Sequence, residues 1–161
     1  MKHAAIPTAA RLLSAALLVG LPAVSCAATP VGLWYAEGGA AQVQISPCGT
    51  QLCGRVVWLR SPFDENGCDL RDRYNPEPAL RDRPIVGLEV LRGLQDSGDG
   101  PSAWVGGTIY DPASGSTYRC SLQLETDNRL RLRGYLGIPI IGRTTTWIRV
   151  GAERQMCRQQ Q

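Results

Sequence analysis

Apolar residues in this chain recur at every second position over short runs, separated by Gly, Pro, Asp and Asn, and no window carries a helical period over three turns. That pattern restricts the fold to antiparallel β-structure. Strands are predicted near Gly32–Ala36, Ala41–Ser46, Leu52–Leu59, Ile85–Leu94, Ala103–Tyr110, Ser116–Glu125, Arg129–Leu136 and Thr144–Val150. So many short strands in one small chain imply a single antiparallel up-and-down β-barrel, with a sandwich as the other all-β arrangement.

Register follows from side-chain alternation, because a slip of one residue moves every side chain to the other face. Pairing Cys48 with Cys53 predicts Ile45 opposite Val56, Val43 opposite Trp58 and Ser46 opposite Arg55. A three-residue turn Thr126-Asp127-Asn128 sets Leu124 against Leu130, Leu122 against Leu132 and Glu125 against Arg129, with Asn128 suited to a positive φ. In Tyr110–Gly115, Pro112 presets a type I turn and Gly115 takes the left-handed position after it. Gly106-Gly107 inside a strand suggests close packing or a bulge. The segment Arg60–Pro84 breaks the alternation. It is polar, carries prolines at 62, 76, 78 and 84, and is too long for a hairpin turn; Asn75 is expected to cap one short helix from Pro76 to Leu80.

The N-terminus has basic Lys2 and Arg11, an apolar run from Leu12 to Leu21, and small residues at Ser25-Cys26-Ala27. These are the marks of a secretory signal peptide over 1–27, leaving one barrel domain over 28–161 whose glutamine-rich end frays. The expected location is periplasmic or secreted. Ala23-Val24-Ser25-Cys26 also approximates a lipoprotein box, so lipid anchoring through Cys26 is the alternative. No stretch of the sequence is apolar for long enough to form a transmembrane helix.

Removing that segment changes the available chemistry. His3 is the only histidine and Lys2 the only lysine, so every cation after cleavage is an arginine. Catalysis by Ser-His-Asp or Cys-His, histidine-ligated metals and Schiff-base lysines are thereby excluded. The formal charge of +3 falls close to neutral once Lys2 and Arg11 are gone, which argues against a nucleic-acid partner. No Gly-x-Ser-x-Gly elbow or phosphate loop occurs. No cofactor and no metal are expected, since Cys-x4-Cys without histidine is poor zinc spacing.

The cysteines suit an oxidising compartment. Cys48–Cys53 is the expected first disulfide, and Cys68–Cys120 the expected second, with Cys120–Cys157 as its alternative. Asp64, Glu65, Asp69, Asp72, Glu77 and Asp82 crowd the long connection as calcium-ligand or acid–base candidates, but interspersed Arg71, Arg73, Arg81 and Arg83 favour solvated ion pairing. Arg129, Arg131 and Arg133, with Arg119 beside them, form a cationic stripe able to meet an anionic envelope surface, which Glu125 partly cancels.

Several motifs taken together resemble one bacterial secreted family, domain of unknown function 2147. They are Gly32-Leu33-Trp34, Cys48 with Leu52–Trp58, Asp72 with Asn75-Pro76, Leu80–Pro84, Gly87-Leu88, Trp104–Pro112, Gly115 with Thr117-Tyr118, and Gly142–Arg149. The resemblance implies an exported barrel of the calycin kind, similar in shape to lipocalins, and supplies no catalytic residues. Gly32-Leu33-Trp34 with Arg149 is similar to the lipocalin pattern in which an arginine of the last strand packs across the tryptophan of the first. The guanidinium is then expected within about 6 Å of the indole centroid.

The function expected from this reading is non-catalytic: a barrel holding a small apolar or amphipathic ligand in its mouth. Trp58, Trp104, Tyr110, Tyr118 and Tyr74 are candidate lining residues, and Asp72, Asn75, Arg81 and Arg83 candidate lid residues. Two rivals remain open. One is a filled barrel acting in envelope assembly; the other is a carboxylate hydrolase using a pair such as Asp72 with Asp111.

Overall fold

The computed structural model describes residues 29–98 and 102–152. Its strands are β1 (Gly32–Tyr35), β2 (Ala41–Cys48), β3 (Gln51–Leu59), β4 (Glu89–Asp96), β5 (Ala103–Asp111), β6 (Ser116–Thr126), β7 (Arg129–Tyr135) and β8 (Gly142–Arg149). Each pairs antiparallel with the next, and β8 pairs with β1 to close the barrel. Closure removes every free sheet edge. The signal segment, Cys26 and Cys157 lie outside the described residues.

Alternation decides what faces inward. Trp34, Val43, Ile45, Val56, Leu91, Leu94, Leu122, Leu124, Leu130, Leu132 and Trp147 are buried and form one core. The β6–β7 register is the one the sequence implies, with Leu122 opposite Leu132 and Leu124 opposite Leu130. The turn between them is shorter than expected. Thr126 pairs with Arg129 and Glu125 bulges out, so no non-glycine residue, Asn128 included, needs a positive φ. Glu125 reaches both Arg129 and Arg131, at 3.7 and 3.3 Å.

The β2–β3 register differs from the expected one by two residues. Gly49, at φ +66, makes a tight turn with Thr50, so Cys48 opposes Gln51 and Cys53 opposes Ser46. Ile45 therefore faces Gly54, and Val43 faces Val56. Gly54 has no side chain because Leu91 and Val43 already fill that space. The Cys48–Cys53 disulfide still forms, as a diagonal cross-strand bridge with Cα atoms 5.8 Å apart. It indicates a non-cytoplasmic compartment. A bulge between Gln42 and Val43 then sets Trp58 opposite Gln42.

The second bridge is a correction. Cys68 and Cys120 are both free thiols, one exposed in the long connection and the other buried in the core. Cys120 alternates inward on β6 with Leu122 and Leu124, so its sulfur faces the barrel interior and not the connection. Burial pushes its pKa up to about 12. Iodoacetamide at pH 8 should therefore modify Cys68 in the folded protein and Cys120 only after denaturation, as read by peptide mapping. Equal labelling of the two would contradict this placement.

Two further boundaries move. Ile85 and Leu88 are buried, yet they precede β4, because Gly87 at φ +96 breaks the extended run. The helical turn expected in the connection is a 3-10 turn over Pro78–Leu80, with Glu77 in the cap position and no side-chain cap. The Asn75 side chain instead accepts from the Glu77 N–H at 2.9 Å, shaping the approach to the turn. The strand bulges between Trp104 and Gly107, as the paired glycines suggest.

Candidate functional site

The up-and-down order gives the barrel two unlike ends. At one lie the start of β1, the tight β2–β3 and β6–β7 turns and the end of β8. There the Arg149 guanidinium lies 4.2 Å from the Trp34 ring centroid. Its nitrogens donate to the carbonyls of Asp127 (2.5 Å), Val31 (2.9 Å) and Thr29 (2.8 Å), while the Trp34 indole N–H donates to the Pro30 carbonyl at 2.7 Å. One planar cation thus stacks on the core and ties three chain segments across that end, which is closed.

The other end carries the 36–40 segment, the long connection, the β5–β6 turn and the β7–β8 loop. The connection crosses it in a fixed position. Asp72 is fully buried. Its Oδ2 accepts from Arg83 Nε (2.9 Å) and Nη2 (2.8 Å) and from Asn75 Nδ2 (2.7 Å), while Oδ1 accepts from the Tyr110 hydroxyl at 2.5 Å. Arg81 Nε donates to the Asn75 carbonyl at 2.8 Å. A Cβ on Gly115 would fall on the Tyr74 carbonyl, so this segment packs directly on the β5–β6 turn. The four residues expected as a lid form the knot that fastens the connection to the barrel.

That knot has a titration signature. Burial, and then the Asp72 carboxylate, push the Tyr110 pKa up to about 12. The folded state thus keeps a proton that the unfolded chain loses near pH 10. The resulting stabilisation is complete below about pH 10 and disappears as pH rises toward 12. Alkaline absorbance titration of the five tyrosines should show one late transition, absent in Tyr110→Phe. A single transition near pH 10 would contradict the network.

Beside the knot a cavity of about 630 Å³ opens at this end. Its walls include Ile109, Tyr118, Leu132, Gly134, Tyr135 and Ile141, and its polar residues are Glu37, Asp111, Arg143 and Thr145. Arg143 Nη2 and Glu37 Oε2 pair at 2.6 Å across the rim, joining the start of β8 to the segment after β1. The Asp111 carboxylate caps its own turn through Ala113 N–H (3.0 Å) and Ser114 Oγ (2.7 Å).

Of the aromatic residues singled out by sequence, only Tyr118 lines this cavity; Tyr110 stands beside it with its hydroxyl turned to Asp72. Trp104 is buried in the core, and Tyr74 is exposed on the connection. Trp58 lies on the outer wall, where it meets Tyr35 edge-on at 6.2 Å between centroids in a shallow groove with Arg60 and Ile148. The β2–β3 bulge put it there. Asp72 and Asp111, the pair named for hydrolysis, have separate sets of partners: Asp72 is held in the buried knot and Asp111 caps its own turn. Sequence reasoning missed Glu37 and Arg143, whose ion pair spans most of the chain, and the apolar run Leu136–Ile141, whose signal was an apolar stretch continuing past the end of the strand predicted to Leu136.

The acidic cluster of the connection is dispersed as ion pairs and turns. Asp64 accepts from the Cys68 and Asn66 N–H groups and pairs with Arg73 at 2.9 Å, and these contacts, the Cys68 N–H foremost, hold its pKa below the usual carboxylate value. Among the described residues no cluster of His, Cys, Asp and Glu gathers as a metal site, and no helix is long and apolar enough to cross a membrane.

Comparison with known proteins agrees with this architecture. A search of curated proteins returns no match. The structure is similar to a solved protein from Helicobacter pylori, HP1028, described as belonging to the lipocalin family, with a TM-score of 0.64 and 21% identity over 78% of this chain and 86% of that one. At that identity the likeness shows the fold: a lipocalin-like closed barrel. Residues 32–149 match the family model described as "Uncharacterized protein conserved in bacteria (DUF2147)", and the chain belongs to that family.

Proposed function

We propose that this protein is a non-catalytic binding barrel, exported after removal of its first 27 residues, that holds one small amphipathic molecule in its open mouth. The carrying observation is the cavity of about 630 Å³, whose inner wall is aliphatic and aromatic and whose rim holds a single exposed arginine–carboxylate pair. That volume falls within the roughly 300–1,000 Å³ typical of small-molecule sites, and apolar walls with few polar groups at one edge suit a molecule with an apolar body and a polar head. Arg143 is placed to meet an anionic head by exchanging Glu37 for it. The absence of histidine and lysine after position 3 supports binding over catalysis, as does the engagement of Asp72 in a buried knot.

Gly134 provides the test. It lines the cavity with ordinary backbone geometry, and a Cβ there would meet Ile109 and Tyr118 only at 3.7 and 3.8 Å. Phenylalanine at 134 therefore projects into the cavity without displacing the wall. In fluorescence titration with a dansylated fatty acid, the wild type should bind one equivalent and Gly134→Phe at least tenfold more weakly, with an unchanged melting curve. Equal affinity in a folded Gly134→Phe protein would overturn the assignment of the site.

A further inference from the structure

The loop joining β7 to β8 consists of Leu136, Gly137, Ile138, Pro139, Ile140 and Ile141. Its large side chains stand in water: Leu136 is 65% exposed, Ile138 57%, Ile140 81% and Ile141 68%. Exposed aliphatic side chains scattered singly are ordinary, but a contiguous projecting cluster marks a contact surface. The loop is also held in its projecting form. Arg133 donates from Nε to the Pro139 carbonyl at 2.7 Å, from Nη2 to the Ile140 carbonyl at 3.2 Å and from Nη1 to Thr144 Oγ1 at 2.9 Å, and Ile141 N–H closes a turn on the Ile138 carbonyl. One arginine thereby gathers backbone polar groups at the base and leaves an aliphatic tip.

Charge and aromatic residues surround that tip at its root. The Arg143 side chain is 80% exposed beside the loop, and Arg119 and Arg133 follow on the outer wall, with Tyr135 at the end of β7. Of the carboxylates at this end, Glu37 pairs with Arg143 and Asp111 caps its turn, and among the described residues Arg119 and Arg133 have no carboxylate partner. An aliphatic tip, a tyrosine below it and guanidinium groups around it reproduce the depth profile of a bilayer surface: hydrocarbon, interface, anionic headgroups. A protein partner fits less well, because the aliphatic surface is confined to one six-residue loop, whereas each side of a stable protein interface draws on about 20–30 residues. The closed sheet offers no edge strand to extend such a contact.

We propose that the Leu136–Ile141 loop inserts into an anionic phospholipid bilayer and seats the open end of the barrel against the membrane surface. This holds whether or not the cavity is filled. It also gives the cavity a route of loading, because Leu136 and Ile141 belong both to the loop and to the cavity wall. A lipid-like molecule could then pass between bilayer and barrel without crossing water.

The test uses the chain from Ala28 onward, which retains all eight strands and the Thr29 and Pro30 contacts at the closed end. Co-sedimentation is measured with vesicles of equal phosphatidylglycerol and phosphatidylethanolamine, and with pure phosphatidylcholine. The protein should bind the anionic vesicles, bind phosphatidylcholine several-fold more weakly, and lose affinity as salt rises to about 0.5 M. Ile138→Asp and Ile140→Asp should each weaken binding at least tenfold with unaltered melting curves, and should still take up the dansylated fatty acid from solution. Failure of vesicle binding with fatty-acid uptake intact would overturn this inference and leave the cavity assignment standing. Vesicle binding by Ile140→Asp equal to wild type would overturn it too. So would a concentration-dependent dimer that Ile140→Asp dissociates, with no vesicle affinity, which would make a second copy of the chain the occupant of the loop.

Discussion

Asp72→Ala should lower stability by about 3 kcal/mol, seen as a reduced urea midpoint with an unchanged slope and a melting temperature lower by roughly 10 °C. The carboxylate itself is fully buried, and removing it strands three donors that point at one place: the Arg83 guanidinium, the Tyr110 hydroxyl and the Asn75 amide. Arg83 is partly exposed and can recover some hydration, which keeps the loss toward the lower end for a broken buried ion pair. Against a domain stability of about 5–15 kcal/mol this is a large fraction. Asp82→Ala serves as the comparison. It sits on the same connection with an exposed side chain, and the change should stay within about 0.5 kcal/mol. Equal effects at the two positions would mean that the connection is not fastened through Asp72.

Arg149→Lys should cost about 2–3 kcal/mol. Lysine keeps the charge, but its compact ammonium cannot stack on the Trp34 indole while donating to Asp127, Val31 and Thr29 carbonyls in three directions. The stacking accounts for about 0.5–2 kcal/mol and the lost charged hydrogen bonds for the remainder. The cavity lies at the opposite end, so affinity for the dansylated fatty acid should not change. Arg149→Lys with wild-type stability would show the stack to be incidental; a change in fatty-acid affinity at constant fold would show that the two ends are coupled.

What could be read from the sequence divides along physical lines. Strand alternation is local, and it located the strands and the inward-facing β6–β7 leucines, because only one register sets both leucine pairs opposite each other. The β2–β3 ladder is ambiguous for the same reason that alternation is useful: a shift of two residues keeps apolar facing apolar, whether Val43 meets Trp58 or Val56. The cysteines did not resolve it, since opposite and diagonal positions both bring the sulfurs to one face. The bulge that turns Trp58 outward leaves no mark in composition. Long-range contacts were harder still. Nothing near Asp72 in sequence points to Tyr110, and Glu37 meets Arg143 only because β8 closes against β1. The open end is built from segments scattered along the chain, so its aromatic residues could be named but not assembled.

The claim that the open end is the binding site is tested most directly by methyl NMR of the Ile- and Leu-labelled protein during titration with a medium-chain fatty acid. The predicted result is saturable shifts at Ile109, Leu132 and Ile141, with methyls of the filled core such as Leu91 and Leu94 unmoved. Shifts confined to Ile148 in the outer groove, or none at saturating ligand, would contradict it.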